Sequence, residues 1–180
     1  MEFIGREREL TRIKKTLKVT EQRNVLIYGR RRVGKSELIK QALTDLPDVA
    51  TVYYECRQTS EADNLESLSV LVAEALNFPP LAFTGIRELI EFLFAQAKDK
   101  NITLVLDEYP YLRDAVKGLD SILQTSIDAH REDSRLNIVL CGSYVEIMKS
   151  LIEHESPLYG RIDLAFELKP MDYFDAAKFY

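Results

Sequence analysis

Residues 24–40 read NVLIYGRRRVGKSELIK, and this stretch decides the fold. NVLIYG is a short apolar run rich in β-formers and closed by Gly29. Gly29, Gly34, Lys35 and Ser36 then match the spacing G-x-x-x-x-G-K-[ST] of a phosphate-binding loop. A helical pattern over 35–45 follows. Strand, loop and helix in that order are the context such a motif requires. A loop that curls around a phosphate with its N–H groups inward needs glycine where φ turns positive or the ligand comes close. The helix behind it offers free N–H groups and its positive end to the anion. Lys35 brings a compact charge to the β- and γ-phosphates, and Ser36 brings a hydroxyl to Mg2+. The expected nucleotide-binding segment is therefore Gly29, Arg30, Arg31, Arg32, Val33, Gly34, Lys35, Ser36 and Glu37.

Working outward, four more runs have strand character: VATVYYECR (49–57), ITLVLDEY (102–109), LNIVLCGS (136–143) and IDLAFEL (162–168). The first three, like 24–29, lack strict alternation, as suits strands covered on both faces. The last alternates, which places it nearer an edge. Helical patterns lie at 5–19, 61–76, 84–98, 112–131 and 144–154, with Ser60 as N-cap of the second. Strands alternating with helices predict a three-layer α/β fold around a parallel sheet. NFPPLAFTG (77–85) separates two helices, and no interdomain linker is visible. At the end, MDYFDAAKFY opens a helical pattern with Asp172 as cap and carries no stop signal, so a longer protein is expected.

In a parallel α/β sheet, ligands sit beyond the carboxyl ends of the strands. LVLDEYP brings Asp107 and Glu108 to such an end. A carboxylate there can hold Mg2+ directly or through water, which is the role expected of Asp107 beside Ser36. Glu108 is placed to orient and activate the attacking water. Ser143, just past the 136–143 run, either senses the γ-phosphate or caps the helix after it. Arg161 lies between the last helical pattern and the last strand, and is read either as a phosphate-contacting arginine or as a surface residue paired with an acid.

Composition sets the outer limits. The chain has 180 residues, a net charge of −5 and a pI near 5.2, which argues against a general polyanion-binding surface. It contains no spanning apolar run, and its start is not a secretory signal, so a cytoplasmic protein without a membrane partner is expected. Cys56 and Cys141 are expected to be reduced and buried. His130 and His154 are expected to be solvated, with no ligand partners at metal spacing.

Five stretches, FIGRERELTRI, YGRRRVGKSELI, LVLDEYPYL, IVLCGSYVEIM and SPLYGRIDLAFELKPMDYFDAAKF, together resemble the AAA+/STAND-type P-loop ATPases. Within that class they resemble the predicted archaeal and bacterial ATPase family. The resemblance implies a five-stranded parallel core in the order 5-1-4-3-2. It implies ATP and Mg2+ as cofactors, Asp107 and Glu108 as the second acidic motif, Ser143 as a first sensor and Arg161 as a nucleotide-contacting or finger arginine. It also sets Phe3 and Ile4 beside the base. Relatives carry a helical lid and a C-terminal domain after the core, and 1–180 holds neither. Ser143 stands where relatives often have Asn, Thr or Arg.

The expected function is Mg-dependent ATP binding and hydrolysis that drives or times a conformational or assembly change. The alternatives are a slow nucleotide-dependent switch in signalling, defence or DNA transactions, and a small-molecule kinase. The side chains of Arg30, Arg31 and Arg32 are expected to turn away from the phosphates. They would form a cationic knob that docks on a lid or a second subunit, with a plain solvated loop and a nucleic-acid contact as the alternatives. Nucleic-acid binding is assigned to regions outside this chain.

Overall fold

Successive side chains of a strand face opposite sides of a sheet. In β1 (Asn24–Tyr28), Val25 and Ile27 enter one core and Leu26 and Tyr28 the other. The same division holds in β3 (Asn101–Asp107) and β4 (Leu136–Gly142), whose apolar runs are buried on both sides. With β2 (Val49–Glu55) and β5 (Leu164–Glu167) they form one sheet in the order β2-β3-β4-β1-β5, every pair parallel. This is the expected order read from the opposite edge. The alternating fifth strand lies at an edge and is half-buried. The protein is seen here in a computed structural model that describes residues 5–171. The helix expected after Asp172 lies outside the described residues.

Two helices cover one face: α1 (Glu7–Leu17), through Ile13 and Leu17, and α2 (Lys35–Thr44), through Leu38, Ile39, Ala42 and Leu43. The other face takes α3 (Glu61–Leu76), α4 (Ile86–Gln96), α5 (Tyr109–Ala115), α6 (Leu119–His130) and α7 (Val145–Ser150). Ser60 caps α3 as expected, its hydroxyl accepting the Asp63 N–H at 3.1 Å.

Two expectations need correction. The single helix predicted over 112–131 is two helices. Gly118, at φ 72° in the left-handed region, starts α6 in a new direction. Pro110 belongs to the first turn of α5, where its missing N–H costs nothing, and the strand has already ended at Asp107. His130 is not solvated. Its ring stacks on Phe94 at 5.1 Å between centroids and sits 2.9 Å from a Glu91 carboxylate oxygen, because the last turn of α6 packs on α4. Cys56 and Cys141 are buried and unbridged, and burial pushes both thiols up, so they stay neutral.

Candidate nucleotide site

The loop leaves β1 after Tyr28 and is braced at both ends. Gly29 is required by a close approach: a Cβ there would lie 2.3 Å from the Leu168 carbonyl oxygen. Gly34 is required by its backbone, at φ 96°. Arg32 takes the left-handed region at φ 67°, a strained state for a side-chain-bearing residue. Lys35 is buried, and its Nζ reaches back over the loop to the carbonyl oxygens of Gly29 (2.7 Å) and Arg30 (2.8 Å). The first N–H groups of α2 lie in its opening turn, where no carbonyl one turn earlier can satisfy them.

Asp107 ends β3 at 5% exposure. Its Oδ2 accepts the Ser36 hydroxyl at 2.6 Å and the Tyr53 hydroxyl at 2.5 Å. Burial, and then the bond to Asp107, pushes the Tyr53 phenol up and keeps it protonated, so it is a donor. Lys40, one turn along α2 from Ser36, holds its ammonium 4.9 Å from the centre of the Tyr53 ring.

Among the described residues no three His, Cys, Asp or Glu side chains converge to cage a metal alone. Ser36 and Asp107 offer two hard oxygens beside a phosphate loop. That donor set suits Mg2+, which keeps waters and binds through one or two protein oxygens together with substrate phosphates.

Glu108 follows in the left-handed region, at φ 56°. That turn swings its carboxylate toward the end of β4. There Oε1 accepts the Ser143 N–H at 3.1 Å and Oε2 accepts the Ser143 hydroxyl at 3.0 Å. Ser143 therefore does not cap α7; the residue at the cap is Tyr144, without a side-chain cap bond. Above this pair, Arg31 donates to the Tyr111 hydroxyl at 3.3 Å, which lies 3.2 Å from that of Tyr144.

These groups enclose a cleft of about 350 Å3. Its lining includes Arg31, Arg32, Gly34, Lys35, Ser36, Glu37, Asp107, Glu108 and Ser143, together with Glu55 and Tyr111, which sequence reasoning did not single out. Arg31 and Arg32 thus form part of the cleft wall rather than a knob turned wholly away from it. Arg30 and Val33 lie beside a second hollow of about 440 Å3, with Arg6, Pro170 and Met171. Arg6 was also missed. Its buried guanidinium donates to the carbonyls of Val33 (3.3 Å) and Lys169 (2.7 Å), tying the loop to the chain beyond β5. Phe3 and Ile4 lie outside the described residues.

Arg161 is not brought into this cleft. Its carbonyl accepts from the Asn24 side chain at the amino end of β1, about 13 Å along the strand from the loop end at 3.3 Å per residue. Its guanidinium makes a two-point pair with Asp128 at 2.8 and 2.6 Å and holds the Asp128 carboxyl below its ordinary range. No helix among the described residues is long and apolar enough to cross a membrane.

A five-stranded parallel sheet of this order, with a glycine loop leading from its first strand into a helix, is the core of a P-loop ATPase. The chain belongs to the family of ATPase domains found predominantly in Archaea, which it matches over residues 3–180. An uncharacterized protein of Methanocaldococcus jannaschii is 28% identical over 179 residues, covering 99% of this chain and 38% of the relative. Among solved structures, a Walker-type ATPase of Pyrococcus abyssi superposes with a TM-score of 0.71 at 22% identity, covering 98% of this chain and 57% of that one. The Aeropyrum pernix ORC1 protein, solved in complex with DNA, gives 0.72 at 18% identity, covering 98% and 48%. The Aeropyrum pernix ORC2 protein, solved as ADPNP-ADP complexes, gives 0.71 at 16% identity, covering 99% and 51%. At these identities the likeness is one of fold. The chain spans well under two thirds of these relatives.

Proposed function

We propose that this chain binds ATP with Mg2+ and hydrolyses it to ADP and phosphate. One observation carries the proposal: Lys35, the Ser36–Asp107 pair and Glu108 line a single cleft. The loop amides and Lys35 hold the β- and γ-phosphates. Lys35 exchanges a loop carbonyl for a phosphate oxygen as the ligand enters. Ser36 and, directly or through water, Asp107 would hold Mg2+, which supplies charge neutralisation on the phosphate oxygens when bound. Glu108 orients a water and takes its proton as the water oxygen attacks the γ-phosphorus and the bond to the ADP oxygen breaks. Ser143 steers the Glu108 carboxylate. Arg161 takes no part in the cleft of its own chain, and its pair with Asp128 occupies its guanidinium.

Replacing Glu108 with Gln should keep ATP affinity within about threefold and lower phosphate release by at least about a hundredfold, the usual size of an acid–base contribution. Wild-type turnover in E108Q would remove Glu108 from this role.

A slow, nucleotide-timed switch has one observation in its favour. Both Glu108 oxygens are engaged by Ser143, so the water-activating group must be released or shared before it can act. The side chains of Arg30 and Arg32 make no hydrogen bond or ion pair with the described residues, and we assign them to contacts with acids of a neighbouring domain or subunit. Any nucleic-acid contact we place outside this chain.

A further inference from the structure

We propose that Tyr53 is a positioning residue for the metal side of this cleft, acting through Asp107. The inference rests on the Mg-ATP proposal above. β2 and β3 pair in parallel with Glu55 opposite Asp107 and Tyr53 opposite Val105. Tyr53 is two residues short of its strand end, so the strand period puts it on the same side as Asp107. Its long side chain closes the remaining gap, and its hydroxyl donates to Oδ2 at 2.5 Å.

Ser36 donates to the same oxygen, at 2.6 Å, from a different element. Ser36 gives its proton to Asp107 and keeps its lone pairs for a cation. Tyr53 gives its proton to the same oxygen from the neighbouring strand, with the Ser36 hydroxyl close beside it. That bond restrains the carboxylate beside Ser36 and satisfies an oxygen of a residue that is only 5% exposed. Packing does not explain the hydroxyl, because phenylalanine would fill the same volume and keep the Lys40 ammonium over the ring. A donor to a metal-holding carboxylate is typically worth about ten- to a hundredfold in metal affinity.

The test is a Mg2+ titration of the whole chain at fixed mant-ATP, a fluorescent ATP analogue, comparing wild type, Tyr53→Phe and Tyr54→Phe. Tyr54 is the matched control: its hydroxyl bonds Asn64 on the opposite face. In Tyr53→Phe the Mg2+ midpoint should rise about tenfold or more, with unchanged mant-ATP affinity in EDTA. Tyr54→Phe should keep the wild-type midpoint even where its melting temperature falls. An unchanged midpoint in Tyr53→Phe overturns the role of Tyr53. So does an equal loss of metal-free affinity, which would mark general damage to the cleft. Wild-type binding without Mg2+ dependence overturns the Mg-ATP proposal and this inference with it.

Discussion

Gly29 shows how a single atom can fix a loop. The loop passes so close to the exit of β5 that a methyl group at Gly29 would overlap the Leu168 carbonyl oxygen. Replacing Gly29 with Ala should destabilise the chain by about 2 kcal/mol, the usual cost of forced overpacking, and weaken ATP binding. Urea unfolding and nucleotide titration of the variant check both. Gly29, Lys35, Ser36 and Asp107 were legible in the sequence because each lies in a short motif with its own spacing. Tyr53 and Arg6 were not. Tyr53 meets Asp107 across 54 residues of chain and Arg6 meets Lys169 across 163, so only the folded sheet brings those partners together. Arg161 carried two readings in the sequence, and the fold gives it an acid partner that lies 33 residues away in the chain, Asp128.

At the scale of elements, the strands were legible because three of them, β1, β3 and β4, are apolar on both faces, a pattern that suits a covered parallel sheet. The break between α5 and α6 was not, since apolar residues continue across it. Asp120 holds that corner, accepting the Tyr109 hydroxyl at 2.6 Å and the Arg113 guanidinium at 2.9 Å. Tyr109 follows Glu108 directly, so the corner also fixes the start of the helix behind the cleft. Asp120→Ala leaves a buried phenol and an exposed guanidinium without their acceptor. It should cost about 2 kcal/mol, within the range for unsatisfied buried donors, as read by chemical denaturation. The pair at the other end of the sheet has a pH signature. Arg161 depresses the Asp128 carboxyl, so its contribution is full above the ordinary aspartate range and is lost as pH falls through the folded value. Arg161→Ala should therefore flatten the acid side of the stability profile while leaving ATP affinity unchanged.

At the scale of the whole molecule, the cleft at the carboxyl ends of β1, β3 and β4 is proposed to hold a nucleotide by its terminal phosphates. In the proposed binding mode Lys35, Ser36 and the loop amides meet the phosphates, whatever the base. Calorimetric titration of ATP, ADP and AMP with Mg2+, on wild type and on Lys35→Ala, tests that claim directly. ATP and ADP should bind and AMP should be weaker by at least about a hundredfold, the loss of roughly two charge-assisted hydrogen bonds. Lys35→Ala should weaken ATP by about tenfold or more. AMP binding as tightly as ATP, or Lys35→Ala retaining full ATP affinity, would contradict the account.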